Sequence, residues 1–368
     1  IAALVNTQTP VAAFTLLLVA IMLLNNNFKI KSYVIVGFLL VSIFYISNYL
    51  FFEQIREVLV VGYLMFITKG FSGFLFGGLE VKSRQVYKAF LNIATINALL
   101  LSLYPFTNFM HNVMNYMRFG YALIPSALMF WIAFICNKNY KKIIWFIVAL
   151  FYSLLSIIYG PRGTIIVLIL FFVLLFIFNQ QLALNKKVLI SIAGSMVIFL
   201  VIKMNILIQI IDFIQYNLGI RTYTISKIRM ALNHGIIESS SGRDLIYESI
   251  WNHFLENPIF GNGVMYVQAM SGGGTAHNLI LQILVETGIL GLLIWLIIAF
   301  YLLYKYRNIS KLSLDGLFGI TTMVLCISVG RLLVSSDMWL RPEFWFVISL
   351  LINCKMNKIK SLKGCNLQ

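Results

Sequence analysis

The chain of 368 residues is 60% hydrophobic and only 11% charged, and its net charge is +16. Soluble proteins contain about 25% charged residues, so this composition excludes an ordinary soluble globular protein. The positive charge does not indicate nucleic-acid binding, because the lysines are concentrated in the connections between apolar runs, where they report orientation in a membrane.

Apolar runs recur along the chain and predict membrane-spanning helices. A hydrocarbon core about 30 Å thick requires about 20 apolar residues per helix, and only helices or closed barrels satisfy their backbones there. Because the runs show no period of two, we expect an all-α polytopic membrane protein with about eleven transmembrane helices. The predicted spans are 9–24, 33–52, 58–78, 89–106, 119–136, 143–159, 164–178, 188–202, 286–304, 314–333 and 342–354.

Every second connection is rich in lysine, which by the positive-inside rule assigns those connections and the basic C-terminal tail to the cytoplasm. This orientation places Ile1 outside, so we expect a twelfth helix in the intact protein. The predicted organisation is helices 1–8 in residues 1–202, one large outer loop with short helices in 203–285, and helices 9–11 with the tail in 286–368. Lys69, in the middle of the third run, indicates either a polar cavity or a misplaced span boundary.

Arginine and lysine are distributed differently between the two sides. Lysine is sufficient to anchor a loop, whereas the guanidinium of arginine can grip phosphate or carboxylate with two parallel hydrogen bonds. On the predicted inner side only Arg84 and Arg307 are arginine. The outer side holds the histidines His111, His234, His253 and His277, and the outer side or the spans hold Arg56, Arg118, Arg162, Arg221, Arg229, Arg243, Arg331 and Arg341. The outer face is therefore the predicted functional face.

The outer loop contains a series of short motifs. Ser241-Gly242-Arg243-Asp244 begins a predicted helix, with Ser241 as its N-cap. The helix ends at Asn257-Pro258, because the residue before proline is disfavoured in the α region. Phe260-Gly261-Asn262-Gly263 follows, and then a glycine-rich stretch that we interpret as a hinge. The loop closes with His277-Asn278, and the next helix carries Glu286-Thr287-Gly288-Ile289-Leu290-Gly291.

The order of these motifs resembles the O-antigen polymerase and O-antigen ligase superfamily. Gly160-Pro161-Arg162-Gly163, which opens a span, resembles a second feature of that superfamily, although its members usually have serine where Pro161 stands. The resemblance covers about the second half of the chain by motif and the remainder by topology only.

The resemblance implies an inverting, metal-independent glycosyltransferase of the membrane type called GT-C. Such an enzyme polymerises oligosaccharide repeat units, linked to polyprenyl (undecaprenyl) diphosphate, on the outer face of the cytoplasmic membrane, as in capsule or O-antigen synthesis. The lipid-linked oligosaccharide would serve as donor and acceptor, and family analogy adds a flippase and a chain-length regulator as partners. A ligase that moves finished glycan to another acceptor stays open. A lipid-glycan flippase or transporter is a further alternative, although we find no internal repeat of the kind that transporters show.

A diphosphate leaving group needs no paired carboxylates, but it needs cations, and the acceptor hydroxyl needs a base. His277 is the predicted catalytic base, because imidazole titrates near neutrality. The simpler interpretations are a loop histidine for His277 and interfacial anchors or ordinary ion pairs for the arginines. No Asp-x-Asp pair and no metal-ligand spacing is present, so we expect no metal and no cofactor. The diphosphate-binding candidates are Arg162, Arg243, Arg331, Arg341 and Arg118, and the candidates for sugar contact are Trp251, Asn278 and His253.

Overall fold

The computed structural model describes residues 2–79, 83–103, 116–137, 142–178, 213, 243–310 and 316–353. Every regular element within these ranges is helical, which confirms the predicted all-α class. The α-helices are α1 (Ala2–Asn25), α2 (Ser32–Phe51), α3 (Arg56–Met65), α4 (Ser72–Gly77), α5 (Ser83–Leu101), α6 (Tyr116–Cys136), α7 (Lys142–Tyr159), α8 (Arg162–Phe178), α9 (Arg243–Glu256), α10 (Tyr266–Met270), α11 (Leu279–Ser310), α12 (Gly316–Leu332) and α13 (Pro342–Asn353).

Among the described residues, five helices are long and apolar enough to cross a membrane, and four further apolar helices are shorter. The long ones are Ser32–Phe51, Glu53–Gly77, Met117–Cys136, Lys142–Tyr159 and Leu279–Ile309. The described helices other than α9 and α10 overlap the predicted runs, whereas the run at 188–202 lies outside the described residues. The total of eleven spans therefore stays a prediction.

Two boundaries differ from the sequence expectation. Helix α11 begins at Leu279, before the predicted start at 286, and a non-helical residue, Gly288, divides it into two pieces. The third run is one continuous helix from Glu53 to Gly77, so Lys69 does not mark a misplaced boundary. Lys69 lies instead in a π-helical turn, Phe66–Phe71, a local widening that is frequent at functional sites.

The outward surfaces of the helices are apolar. On α2, the side chains of Leu40, Leu50 and Phe51 are 63%, 65% and 81% exposed. Exposed apolar area of this extent is costly in water but is matched by lipid chains. The arrangement therefore agrees with a protein whose helices are surrounded by a bilayer.

The chain divides into two compact units. The first comprises residues 1–80, 245–312 and 331–368, and glycines allow its helices to pack closely. A Cβ added to Gly70, Gly73 or Gly77 would lie 2.7, 2.1 or 2.4 Å from a backbone oxygen of the segment 339–346. These three positions share one face of the helix, so small residues here permit close packing against the segment that leads into α13.

The second unit comprises residues 81–244 and 313–330, and α6 is its most buried long helix. Polar side chains on α6 and its neighbours satisfy one another inside the unit. Trp131 donates from Nε1 to Ser153 Oγ over 3.0 Å, and Asn97 donates to Ser126 Oγ over 2.8 Å. Interhelical hydrogen bonds of this kind replace the solvent contacts that a bilayer cannot supply.

Candidate functional site

Gly288 interrupts α11 and exposes backbone groups that a regular helix would use. Its φ and ψ of 65° and −167° lie in a region that is almost exclusive to glycine. In an unbroken helix, the N–H groups of Ile289 and Leu290 would donate to the carbonyl oxygens of Val285 and Glu286. The interruption leaves these four groups in need of other partners.

The motif from Pro258 to Gly263 supplies those partners. Val285 O accepts from Asn262 N over 2.8 Å and Glu286 O from Gly263 N over 3.0 Å, while Ile289 N donates to Pro258 O over 2.9 Å and Leu290 N to Ile259 O over 3.3 Å. The two motifs identified separately in the sequence therefore bind each other through their backbones. We call this pairing of segments 258–263 and 285–290 the backbone ladder.

The ladder explains why both motifs contain glycine. A Cβ on Gly261, whose φ is 75°, would lie 2.5 Å from the carbonyl carbon of Glu286, and one on Gly288 would lie 2.2 Å from Ile259 O. Only glycine permits such an approach of two backbones at these dihedral angles. These glycines therefore serve loop docking.

Three asparagines complete the anchoring of the loop. Asn257 donates to Asn262 Oδ1 over 2.7 Å, and Asn262 donates to the carbonyl oxygen of His253 on α9 over 2.8 Å. Asn48, on α2, accepts from Val264 N over 2.9 Å. Sequence reasoning missed Asn48, whose only signal is an isolated amide in an apolar run.

His277 lies between the glycine-rich stretch and α11 with a left-handed backbone, φ 52°. Its carbonyl oxygen accepts from Tyr247 of α9 over 3.1 Å, and its Nδ1 is 3.5 Å from Thr275 Oγ1. Left-handed residues other than glycine are uncommon and concentrate at functional sites, where the surrounding structure holds them. The imidazole is half-buried, so solvent can reach it.

Asn278 caps α11. Its Oδ1 accepts from the backbone N–H of Ile280 over 3.0 Å and of Leu281 over 3.3 Å. An N-cap of this kind satisfies amides that have no intrahelical partner and fixes the start of the helix. The described role of Asn278 is therefore to cap α11 directly after His277, and sugar contact stays a prediction.

The two other predicted sugar contacts lie on α9, which ends at Glu256 before Asn257-Pro258 as expected. Trp251 is 45% exposed and packs on Phe254 with ring centroids 5.1 Å apart. His253 Nδ1 is 3.1 Å from Tyr266 Oη and 3.2 Å from a Glu256 carboxylate oxygen. A sugar contact by His253 would therefore use its other ring nitrogen, Nε2. Burial and, to a lesser extent, the charge of Glu256 raise the pKa of Tyr266.

Arg118 and Arg162 belong to the second unit, where glycines bring their backbones to neighbouring positions. A Cβ on Gly120 of α6 would lie 2.3 Å from Pro161 Cδ and 2.6 Å from Gly160 Cα. Arg162 follows as the first residue of α8, where helix amides and the helix dipole favour an anion. The second unit therefore brings the backbone of α6 near Gly120 against the start of α8, and anion binding by Arg118 and Arg162 stays a prediction.

The remaining arginines have different surroundings. Arg331, at the end of α12, donates to Glu343 Oε1 over 3.1 Å, and both side chains are largely buried. Arg341 is half-buried just before α13, and Arg243 opens α9. Arg331 thus has an ion-pair partner in the described structure, and anion binding by Arg331, Arg341 and Arg243 stays a prediction.

Sequence reasoning also missed a buried polar cluster in the first unit. The carboxyl groups of Glu286 and Asp337 are buried and share the amide of Gln282, whose Nε2 lies 3.2 Å from Glu286 Oε1 and 2.6 Å from Asp337 Oδ2. Burial raises the pKa of Asp337 to about 6, against the opposing effect of its hydrogen bonds. The only sequence signal was an acidic residue in each of two otherwise apolar segments.

Beside this cluster lies an apolar cavity of about 990 Å³. Phe260 of the ladder and Trp295 of α11 contribute to its wall, and Glu286 is among its few polar lining residues. Its rim includes side chains that are strongly exposed, such as Leu40 at 63% and Ile294 at 58%. The cavity can therefore receive an apolar chain from the bilayer.

Within the described ranges, no group of three or more His, Cys, Asp or Glu side chains is placed to hold a metal ion. The expectation that the chemistry needs no metal remains a prediction. What the arrangement offers is a histidine at the end of a firmly docked loop, arginines at helix ends, and an apolar cavity beside the loop.

Comparison with known proteins identifies the region that carries these features. No curated protein matches the chain. Residues 147–296 match the family model described as O-antigen ligase. The matched region contains Arg162, α9, the backbone ladder and His277. This agreement supports the resemblance to the O-antigen polymerase and ligase superfamily that the motifs indicate.

Proposed function

We propose that this protein polymerises oligosaccharide repeat units carried on polyprenyl diphosphate, by inverting and metal-independent glycosyl transfer, on the outer face of the cytoplasmic membrane. The observation that carries the proposal is the family match over residues 147–296, because it includes every motif of the predicted site. The family itself implies a lipid-linked glycan substrate.

In the proposed reaction, an acceptor hydroxyl oxygen attacks the anomeric carbon of the donor sugar, and the bond from that carbon to the diphosphate oxygen breaks. His277 accepts the hydroxyl proton. The leaving diphosphate gains negative charge, and its stabilisation is the role that the sequence predicts for Arg162 and Arg118, because cations and helix amides are most effective where charge develops.

The apolar cavity supports a lipid-linked substrate over a soluble one. Its wall includes Phe260, which belongs to the same loop as His277. An apolar carrier chain in the cavity would keep the diphosphate end of the donor near the loop. Binding of the chain would also use burial of apolar area that is otherwise exposed.

The finer organisation is part of the same proposal. The chain would contain about eleven spans, an extracytoplasmic catalytic loop over 203–285 and a cytoplasmic C-terminal tail. Capsule or O-antigen synthesis would be the setting, with a flippase delivering the repeat units and a separate regulator setting chain length.

A ligase is the second candidate, because the matching family model is described by that activity. The two functions differ in the acceptor. Purified protein incubated with a lipid-linked repeat unit alone should produce a ladder of products if it is a polymerase. A ligase would transfer glycan only when a different acceptor is added, and a flippase would make no new glycosidic bond in either case.

The role of His277 can be tested with two variants. His277→Ala removes the base but also places alanine at φ 52°, whereas His277→Asn removes the base and retains a residue type that tolerates left-handed backbone. We expect both variants to lose glycan chain growth, and His277→Asn to keep the thermal unfolding temperature of the parent protein. Normal-length polymer from His277→Asn would refute the base assignment.

A further inference from the structure

The Glu286–Asp337 cluster is not used by the proposed chemistry, and its hydrogen bonds are unusual. The described donors to the two carboxyl groups are amide and indole N–H groups, all of them neutral. Trp339 donates from Nε1 to Glu286 Oε2 and from its backbone N to Asp337 Oδ1, each over 2.8 Å. Gln282 donates to both carboxyl groups, and Gln268 donates to Asp337 Oδ2.

The orientation of the Gln282 amide is fixed by a separate contact. Its Oε1 accepts from Met338 N over 3.4 Å, so its Nε2 must face the carboxyl groups. The two carboxyl groups are therefore bridged by one neutral side chain. Two negative charges in such an arrangement repel each other, and neutral donors offset only part of the cost of removing them from water.

The surroundings make a double negative charge less favourable still. Glu286 and Trp339 line the apolar cavity, so Glu286 faces apolar side chains on that side. Tyr45 of α2 is 1% exposed, it is close enough to both carboxyl groups to interact electrostatically, and its hydroxyl has no hydrogen-bond partner. Gln268 is 7% exposed, and its Oε1 also has no partner.

Gln268 Oε1 and the Tyr45 hydroxyl have no hydrogen-bond partner, so neither offsets the charge of the carboxyl groups. A proton on one carboxyl group would remove one of the two buried charges. Because an ionised carboxyl group without a cation is costly to keep out of water, loss of one charge stabilises the folded protein.

We infer that Glu286 and Asp337 form a proton-binding site that holds one proton in the folded protein at neutral pH, on Glu286, while Asp337 carries the charge. Asp337 is the better place for the charge because more donors converge on it, including the backbone N–H groups of Trp339 and Leu340. Hydrogen bonds to the charged form favour ionisation.

The site also fastens the outer loop. Gln268 lies on α10 and Glu286 lies in the backbone ladder, so the cluster joins both parts of the loop to the segment before α13. With one proton, the cluster carries one negative charge instead of two, and the described donors keep their acceptors. Glu286 and Asp337 are thus positioning residues for the loop that carries His277, whichever acceptor the enzyme uses.

Infrared difference spectroscopy tests the inference directly. The spectrum of Glu286→Gln is subtracted from that of the parent protein at neutral pH, and the exposed Glu248, on α9 of the same unit, provides the control Glu248→Gln. We expect Glu286→Gln to remove the carbonyl band of a protonated carboxylic acid, and Glu248→Gln to remove only carboxylate bands. Loss of carboxylate bands alone from Glu286→Gln would overturn the inference.

Hydrogen exchange distinguishes a role of the protonated carboxyl group from a role of side-chain packing alone. Because it compares two variants of Glu286, the test also remains decisive if one variant fails to fold. The amides of Asn262 and Gly263 report the ladder. Glu286→Gln preserves a neutral polar group, so the exchange rates of the two amides should stay close to those of the parent protein. Glu286→Ala should accelerate their exchange about 100-fold, because the Trp339 and Gln282 donors lose their acceptor. Equal acceleration in both variants, or acceleration in neither, would contradict the positioning role.

Discussion

Replacing Gly288 by alanine should separate the outer loop from α11. At φ 65° and ψ −167°, alanine is strained by about 1–3 kcal/mol. The added Cβ would also lie 2.2 Å from Ile259 O and 2.4 Å from Ile259 C, which are backbone atoms that cannot rotate away. The helix would instead continue through residue 288, regain two intrahelical hydrogen bonds and lose the four bonds of the ladder.

The magnitude follows from these contributions. A net loss of two hydrogen bonds costs about 1–3 kcal/mol, and the loss of loop packing adds to this. We therefore expect Gly288→Ala to lower the free energy of unfolding by at least about 3 kcal/mol, a value at the upper end of single-mutation effects. Urea unfolding of the purified protein in detergent, followed by tryptophan fluorescence, would measure it.

Gly272→Ala is the matched control. Gly272 has a similar φ of 62°, but nothing lies within 4 Å of an added Cβ. Its cost should be limited to that of placing an L-residue in the left-handed region, about 1–2 kcal/mol. Equal destabilisation by the two substitutions would refute the close backbone approach at Gly288.

Three further predictions concern charged residues. Arg162→Lys should reduce glycan chain growth about 10–100-fold, because lysine cannot form a second charge-assisted hydrogen bond to a phosphate. The control Arg307→Lys should leave chain growth unchanged. Unchanged chain growth in both variants would make Arg162 a membrane anchor. Arg331→Met should lower the free energy of unfolding by about 1–3 kcal/mol, because it leaves Glu343 unpaired. The double variant Arg331→Met/Glu343→Gln should recover part of this loss. Equal losses of unfolding free energy in the single and the double variant would argue against the ion pair. The pKa of Asp337 is raised to about 6 from 3.8, so the folded state binds a proton on Asp337 more tightly than the unfolded state does, and the free energy of unfolding should fall by about 3 kcal/mol as pH rises from about 4 to above 6. Asp337→Asn should remove this pH dependence. The same pH dependence in Asp337→Asn as in the parent protein would contradict the prediction.

The sequence predicted the fold class well because apolar run length and helix-breaking residues are local properties. The end of α9 at Asn257-Pro258 is an example, since proline acts on its immediate neighbour. The start of α11 was predicted seven residues late, because a kink at Gly288 joins two helical pieces that periodicity treats as separate.

The site was only partly predictable, for a physical reason. His277 and the glycine motifs could be found as local patterns, but the pairing of segments 258–263 and 285–290 is a tertiary contact with no code in either segment. The same holds for Asn48 and Asp337, which are far apart in sequence from the loop groups that they bind. The side chains of Asn48 and Asp337 find their hydrogen-bond partners only when the helices are assembled.

The open space around Gly272 offers a practical route to the orientation of the protein. Residues 271–273 are exposed and lie between the ladder and His277, so neither the ladder nor the cap of α11 depends on their side chains. A cysteine or a short epitope introduced there would be available to a membrane-impermeant reagent applied to intact cells. Because the described hydrogen bonds of the ladder and of the α11 cap do not involve the side chains of residues 271–273, a label there should leave activity intact. Labelling would then report which side of the membrane the loop occupies.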